Sequence, residues 1–389
     1  MCAHRRAEIP PAGAGRAPYR VAHKTHKNTR IDMCGRTSPR YAPRMTGRQS
    51  VVSRESRGPE EERANAALRP TRFDDYVGQP NVIRKLRIAV AAAVARGEPL
   101  DHVLFHGPPG LGKTTLAHVI ANEIGTRVHV GIGTAITKPV DLTGLLTRLG
   151  ERDVLFIDEI HRLPAVVEEY LYTAMEDYKV DVILDAGLHA RVQTLPVQPF
   201  TLVGATTRRG LLTAPMLSRF GLAEHLDYYR PGDLQVILAA NARKLNLEAE
   251  PDALAELARR SRGTPRVANR LLRRVRDFAT VEADGKLTAE VTHQSLALEA
   301  IDDAGLDEQD RTLLRTIVEV YAGGPVGVDA VAATLGEERD TLEDVVEPYL
   351  LQQGFLTRTR QGRVVTAKAY KHLDLPMPAT DGDGEASMF

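Results

Sequence analysis

A glycine-rich segment, Gly107–Thr114, carries the residue types needed to hold a nucleoside triphosphate. It reads Gly-Pro-Pro-Gly-Leu-Gly-Lys-Thr, which matches G-x-x-x-x-G-K-[ST], and it lies between an apolar run and a predicted helix. Glycines let backbone N–H groups close around phosphate oxygens, and a helix start adds the positive end of its dipole. The Lys113 ammonium suits β- and γ-phosphates, and the Thr114 hydroxyl suits Mg²⁺. The sequence therefore predicts ATP and Mg²⁺ at this loop.

Asp158 and Glu159 follow a second apolar run, Val154–Ile157. A buried strand would deliver Asp158 next to the metal and Glu159 next to the γ-phosphate. Asp158 would hold Mg²⁺ through water, while Glu159 would accept a proton from the attacking water or orient that water. An Asp-Glu pair alone is usually surface charge. After a buried strand that follows a P-loop, it predicts a hydrolytic site.

Three further residues are candidates for catalysis. Thr207 ends a third apolar run, where its hydroxyl could sense the γ-phosphate; the alternative is that it caps the following turn. Arg219 follows a short predicted helix and could enter a neighbouring subunit's nucleotide site, although a surface salt bridge is the competing interpretation. Arg266 starts a predicted helix and could reach the γ-phosphate from the other side, with the same alternative.

The elements that position these residues alternate along the chain. Buried strands are predicted at 102–106, 154–157 and 200–205, and helices at 82–94 and 113–124. Strands that alternate with helices imply a parallel sheet with helices on both faces, the doubly wound α/β class. Three helices after Tyr229 suit a separate lid, at 233–244, 251–260 and 266–282. Three more helices and a strand pair outline a winged helix, the helices at 310–321, 328–334 and 338–348 and the short strands around Arg358 and Val364.

Length and composition set the broad limits. A chain of 389 residues predicts two or three packed units, and no window approaches the ~20 apolar residues of a membrane span. The formal net charge is zero, so DNA contacts would have to come from local patches. Cys2 and Cys34 fit neither a disulfide framework nor a zinc site, which favours a reducing cytoplasm.

Residues 1–44 are basic and aperiodic, with only Glu8 and Asp32 as acids, and we expect them to be disordered. A nucleic-acid-binding arm, an organelle transit peptide and a start codon assigned too far upstream are the competing origins, and the third is favoured, with Met45 as the start. The predicted division is a tail at 1–44, a large ATPase domain at 45–230, a lid at 231–305, a winged helix at 306–373 and a flexible tail at 374–389.

Order and spacing of these motifs resemble AAA+ ATPases, and longer blocks resemble the RuvB family, ring-forming bacterial helicases that move Holliday junctions. The resemblance runs from about Leu68 to Leu373. The blocks that carry it are Asp101-His102 leading into the P-loop, then Phe156 to Leu163, Ala174 to Tyr178, Gly263 to Arg270, Gly323 to Gly327, Gly336 to Arg339 and Glu347 to Leu356.

The resemblance implies an AAA+ large domain, a helical lid and a winged helix in a hexameric ring around duplex DNA. It makes Arg219 a finger acting in trans and Arg266 a lid sensor. It also implies that Arg339, Arg358 and Arg363 contact DNA phosphates, which suits a motor that must travel over any sequence. The residues that it implies around the nucleotide, with the P-loop, are Leu68, Arg69, Gly110, Leu111, Gly112, Lys113, Thr114, Thr115, Glu176, Asp177, Tyr178, Arg219, Tyr229 and Arg266.

Asp181–Leu188 matches the family's protruding hairpin, whose apolar tip docks on RuvA, the junction-binding partner; a buried hairpin is the alternative. A RuvC-like resolvase would be a further partner. The chain departs from the family pattern at Leu217, where a basic residue is usual, at Gly131–Thr134 and at Leu188-His189. Two rival functions remain: a clamp-loader or initiator ATPase without processive motion, and a winged-helix regulator whose nucleotide site acts as a switch.

Overall fold

The computed structural model describes residues 66–183 and 192–377. The predicted tail at 1–44, most of the predicted tail at 374–389 and the tip of the hairpin therefore lie outside the described residues. Within the described part, the predicted fold class is confirmed: a parallel sheet with helices on both faces, a helical lid and a winged helix follow one another along the chain.

Five parallel strands form the central sheet, in the order β2-β3-β6-β1-β7. The inner strands are apolar on both faces because helices cover both sides of the sheet, and all six residues of β6 are buried. The strands are β1 (Val103–His106), β2 (Val128–Ile132), β3 (Val154–Asp158), β6 (Thr201–Thr206) and β7 (Leu222–His225). Parallel pairing brings the carboxyl ends of β1, β3 and β6 to one edge, since His106 lies opposite Thr206.

Five helices of five or more residues accompany the sheet within the described residues. The P-loop helix α2 begins at Lys113 and ends at Ile124 as predicted, with Gly125 in the left-handed conformation that closes a helix. A hairpin, β4 (Lys179–Ile183) and β5 (Val192–Pro196), leaves the domain between α4 and β6. The helices are α1 (Pro80–Arg96), α2, α3 (Pro139–Leu146), α4 (Ala165–Asp177) and α5 (Ala214–Ser218).

The lid is a bundle whose helices start with favourable residues. Proline occupies the first helical position of three of them, where its missing N–H costs nothing, and the side chains of Thr264 and Thr288 cap two helices. The helices are α6 (Pro231–Lys244), α7 (Pro251–Arg260), α8 (Pro265–Glu282) and α9 (Ala289–Leu298), of which the last was not predicted. Two short strands, β8 (Glu248–Ala249) and β9 (Lys286–Leu287), pair in parallel beside them.

The winged helix has a core of its own, which includes Leu313, Val331, Leu350 and Phe355. Its elements are α10 (Glu308–Tyr321), α11 (Val328–Leu335), α12 (Arg339–Thr341), a π-helical turn (Leu342–Val346), α13 (Glu347–Gln353), β10 (Leu356–Thr359), β11 (Gly362–Val365) and α14 (Ala367–His372). The third predicted helix, 338–348, continues to Gln353. Pro348 marks the change, because proline supplies no N–H to the preceding turn, and the π-helical turn lies just before it.

Candidate functional site

The P-loop forms a concave turn where β1 ends. Gly107 and Gly112 have φ angles of 135° and 99°. A Cβ at Gly107 would lie 2.6 Å from the Leu226 carbonyl oxygen, and one at Gly112 would lie 2.7 Å from the Tyr76 hydroxyl. Both the backbone conformation and the space therefore require glycine. This curled backbone, which leads directly into α2, fits a bound phosphate chain.

The Lys113 ammonium is held inside this turn. Its Nζ donates to the carbonyl oxygens of Gly107, at 2.8 Å, and Pro108, at 3.0 Å, and the residue is 7% exposed. Burial lowers the pKa of Lys113 to about 8, although the nearby carboxylates of Asp158 and Glu159 oppose that shift. The loop thus keeps a cation close to where β- and γ-phosphates would lie.

Asp158 and Glu159 stand at the end of β3, beside the P-loop. Burial raises the pKa of Asp158, and the neighbouring Glu159 carboxylate adds to the shift, whereas Lys113 counteracts it. Glu159 has a left-handed backbone, with φ of 47°, where the chain turns out of the strand. A partly buried carboxyl near an ammonium and a second carboxylate is a set of groups that a bound divalent cation would complete.

Thr207 lies next to the predicted base. Its hydroxyl donates to Glu159 Oε2 at 3.3 Å, and the same carboxylate oxygen lies 3.2 Å from His161 Nδ1. The alternative that Thr207 caps the following turn does not hold, because Arg208 occupies the capping position. The structure therefore brings the predicted sensor and the predicted base together.

Tyr229 and Tyr76 close the site on the lid side. The Tyr229 hydroxyl donates to the Tyr76 hydroxyl at 3.0 Å and lies 3.3 Å from the Leu111 carbonyl oxygen, and its backbone N–H donates to Gly263. Burial raises the pKa of Tyr229 to about 12, so it remains a neutral donor. Sequence reasoning missed Tyr76 as a site residue, since an aromatic residue ahead of α1 carries no periodic signal.

Leu68 and Arg69 contact the lid, and Arg266 of the lid contacts the P-loop. The carbonyl oxygens of Leu68 and Arg69 accept hydrogen bonds from Lys244 of the lid, at 3.1 and 3.3 Å. Arg266 begins α8, and its backbone N–H donates to Gly110 at 3.4 Å. The lid thus contributes Arg266 directly to the loop that would hold the phosphates.

Arg219 and the segment 176–178 lie at the opposite, amino edge of the sheet. Arg219 precedes β7, and the Tyr178 ring packs on Phe200, which precedes β6. Arg219 contacts Glu176 at 3.0 Å and stacks over Tyr172. A four-residue strand spans about 13 Å, so these groups do not join the P-loop of their own chain.

The three winged-helix arginines predicted to contact DNA meet two glutamates. Arg358 and Arg363 both bond to Glu347, which is 2% exposed, and Arg363 also bonds to Glu343. Arg339 contacts Glu343 at 3.3 Å. The side chains of Arg339 and Arg358 are 56% and 46% exposed, whereas that of Arg363 is only 13% exposed. Arg339 and Arg358 therefore present more side-chain surface to a phosphate backbone than Arg363 does.

Three family models cover most of the described chain. The Holliday junction DNA helicase RuvB P-loop domain matches residues 68–226, the RuvB AAA lid domain matches 229–302, and the RuvB C-terminal winged helix domain matches 303–374. The chain belongs to the RuvB family.

Relatives and solved structures agree with this family assignment. Holliday junction branch migration complex subunit RuvB of Myxococcus xanthus is 54% identical over 336 residues, which are 86% of this chain and 98% of the relative. The protein of the same name from an Anaeromyxobacter species is 55% identical over 318 residues, 82% of this chain and 93% of the relative. The Thermotoga maritima RuvB Holliday junction branch migration motor superposes with a TM-score of 0.73 at 51% identity, covering 80% of this chain and all of that one.

The predicted resemblance to the RuvB family is thereby confirmed, and so is the P-loop ATPase character that goes with it. Among residues 66–183 and 192–377, no helix is both long and apolar enough to cross a membrane. The hairpin strands pair from Lys179 with Pro196 to Ile183 with Val192, but the tip that would dock on a partner lies outside the described residues. Leu188 and His189, where the chain departs from the family pattern, belong to that tip.

Proposed function

We propose that this chain is an ATP-driven motor that moves Holliday junctions in DNA recombination and repair. The observation that carries the proposal is the meeting of Lys113, Asp158, Glu159 and Thr207 at one sheet edge in a member of the RuvB family. Relatives that are 54% identical over 336 residues and 55% identical over 318 residues are named as branch migration complex subunits. A cation, two carboxylates and a hydroxyl at a phosphate-binding loop are the groups that γ-phosphate hydrolysis requires.

In the proposed reaction, water attacks the γ-phosphorus of ATP, and ADP and phosphate leave. Glu159 accepts the proton of that water, while Lys113 and Arg266 offset the charge on the phosphate oxygens. Thr114 and Asp158 would hold Mg²⁺, which supplies further positive charge to the phosphates when bound. Thr207, which bonds to Glu159, would report whether the γ-phosphate is present.

Arg219 completes the site from a neighbouring copy. It is one short helix beyond β6 and lies away from the P-loop of its own chain, which supports action on a neighbouring subunit. The family resemblance implies that six identical subunits form the ring. The segment Glu176–Tyr178, which lies at the same edge, would approach the neighbour's nucleotide with it. An arginine supplied in trans contributes about 10³ to 10⁵ to the rate in well-studied phosphoryl-transfer switches.

The winged helix would hold duplex DNA by its backbone through Arg339, Arg358 and Arg363. Phosphate contacts carry no base information, which suits movement over any sequence. A RuvA-like junction-binding protein would dock on the β4–β5 hairpin, and a RuvC-like resolvase is a further proposed partner. The proposed place of action is the cytoplasm.

The direct test uses the full chain with a synthetic four-way junction and a RuvA partner. ATP hydrolysis and junction dissociation should both occur, and Lys113→Ala should abolish both. Hydrolysis without junction movement in that assay would favour a clamp-loader or initiator ATPase. Nucleotide binding with no hydrolysis, with or without DNA, would favour a winged-helix switch.

A further inference from the structure

The end of β6 contacts the Glu159 carboxylate in two ways, through Thr207 directly and from Thr206 through His161. The Thr206 hydroxyl lies 2.9 Å from His161 Nδ1, which lies 3.2 Å from Glu159 Oε2. Thr207 donates to the same carboxylate oxygen. Glu159 therefore has two direct contacts on this side, and both lead back to the end of β6. A shift of this backbone would change the position of Glu159.

The next residue, Arg208, reaches the winged helix. Its backbone N–H donates to the Thr206 hydroxyl at 3.0 Å, and its Nε donates to Asp344 Oδ1 at 3.2 Å. A second guanidinium N–H bonds to the other carboxylate oxygen of Asp344. The two side chains are 34% and 35% exposed. A two-point ion pair thus joins the large domain to the winged helix immediately beside the sensor residue, where water can compete for it.

Asp344 belongs to the part of the winged helix that organises the predicted DNA contacts. It lies in the π-helical turn, whose apolar residues Leu342, Val345 and Val346 belong to the winged-helix core. Glu343 precedes it and bonds to two of those arginines, while Glu347 follows one turn later and bonds to Arg358 and Arg363. Phosphate that binds these arginines would compete with Glu343 and Glu347, and would therefore disturb the turn that carries Asp344. Such π-helical turns are irregular and often lie at functional sites.

The junction between the winged helix and the lid is of a different kind. Arg262 of the lid is 2% exposed, donates to the Gly305 carbonyl oxygen and bonds to Asp310. It also lies 3.3 Å from Asp307 and stacks over Tyr349. Removing one partner from such a buried network is costly, so this junction is expected to stay closed. Of these two contacts, the Arg208–Asp344 pair is therefore expected to open more readily when the lid and the winged helix move.

We infer that Arg208 is a positioning residue that couples the winged helix to Glu159, so that binding of duplex DNA regulates ATP hydrolysis. With the Arg208–Asp344 ion pair closed, the end of β6 is held and Glu159 stays bonded to Thr207. When phosphates draw the winged-helix arginines away, the pair opens and Glu159 is released for catalysis. This inference rests on the proposed ATP-driven, DNA-binding function and adds the regulation of that site.

The test measures ATP hydrolysis with and without duplex DNA for the full chain, Arg208→Ala and Asp344→Ala. Each variant should raise the DNA-free rate and lower the ratio of stimulated to basal rate by about two- to fivefold, the range expected for a partly exposed ion pair. The double variant should show no more than either single change, because both remove one interaction. Exchange of the two charges, Arg208→Asp with Asp344→Arg, should restore the ratio.

Arg209→Ala is the matched control, because Arg209 is the next residue and is exposed. It should leave the ratio unchanged. Equal loss of both rates in Arg208→Ala with an unchanged ratio would show a merely structural role and would overturn the inference, as would additive effects of the two single variants. Absence of DNA stimulation in the wild type would overturn it too. Absence of any hydrolysis in the wild type is a separate result, which would contradict the proposed function itself.

Reciprocity gives a second readout that does not depend on turnover. If nucleotide state shifts the winged helix through Arg208, the affinity for duplex DNA must differ between ADP and a non-hydrolysable ATP analogue. That difference should shrink in both single variants and return in the charge exchange. An unchanged difference in Asp344→Ala would contradict the coupling even if the fold of Arg208→Ala were impaired.

Discussion

The two edges of the central sheet carry different functional groups in different surroundings. At the carboxyl edge, Lys113, Asp158 and Glu159 face a common space, and the first of them is almost fully buried. At the amino edge, Arg219 is paired with Glu176, whose side chain is 58% exposed. One edge carries the groups of the proposed phosphate site, while the other carries a guanidinium that is proposed to act on a neighbouring chain. The difference supports the proposal that a second copy of the chain completes the catalytic site.

The largest effect is expected at the carboxyl edge. Glu159→Gln removes the proposed base but keeps the size of the side chain, so hydrolysis should fall at least about 100-fold while ATP still binds. Steady-state phosphate release and titration of a fluorescent ATP analogue would measure the two properties. Near-normal turnover in this variant would remove Glu159 from the mechanism.

Arg219→Ala should give the next largest loss, of about 1,000-fold in kcat. Since Arg219 lies at the other edge, the variant should bind ATP as tightly as the wild type. Mixing it with Glu159→Gln sharpens the comparison, because each inactive chain keeps what the other lacks. Hydrolysis should reappear where an Arg219→Ala site faces a Glu159→Gln neighbour. If the mixture stays inactive, Arg219 does not act across an interface.

A smaller effect is expected where the lid closes the carboxyl edge. Tyr229→Phe removes the hydroxyl that lies 3.0 Å from the Tyr76 hydroxyl and 3.3 Å from the Leu111 carbonyl oxygen, and that can donate to one of them at a time. One lost hydrogen bond between neutral groups corresponds to about a two- to tenfold change, here in ATP affinity. Isothermal titration with a non-hydrolysable analogue would detect it. Tyr170→Phe, on the partly buried surface of α4, is the control and should bind normally.

The smallest effect is expected for Glu176→Gln at the amino edge. The Arg219 guanidinium keeps its hydrogen bond to the Pro215 carbonyl oxygen and its stacking on Tyr172, so kcat should change by less than about fivefold. Steady-state hydrolysis beside Arg219→Ala measures the difference. A loss as large as that of Arg219→Ala would mean that Glu176 itself acts at the neighbour's nucleotide, as the family resemblance implies.

Local pattern predicted the carboxyl edge well. The P-loop, its helix from Lys113 to Ile124 and the placement of Asp158 after a buried strand follow from spacing alone, since each depends on near neighbours in the chain. Strands β2 and β7 were not predicted, because neither is a continuous apolar run: β2 reads Val-His-Val-Gly-Ile and β7 reads Leu-Ala-Glu-His. Helix α9 was missed for a similar reason, as its apolar face is short.

Contacts between distant segments could not be predicted in this way. Tyr76 meets Tyr229 across 153 residues, and Arg208 meets Asp344 across 136. Neither pair leaves a periodic signal, because an aromatic residue in a loop and an arginine near a strand end are common in any chain. The proposed contribution of Arg219 to a neighbour likewise became concrete only when β7 was seen to place it at the amino edge.

The sequence by itself determined the chemistry that is available: a phosphate-binding loop, a carboxylate pair after a strand, and arginines at defined distances along the chain. These depend on residue type and short-range spacing, which the linear order contains. Tertiary structure decided which of these groups share a site, which lie at the far edge, and which connect one domain to the next. The reason is that strand order and register set those distances, and they arise from packing of the whole chain.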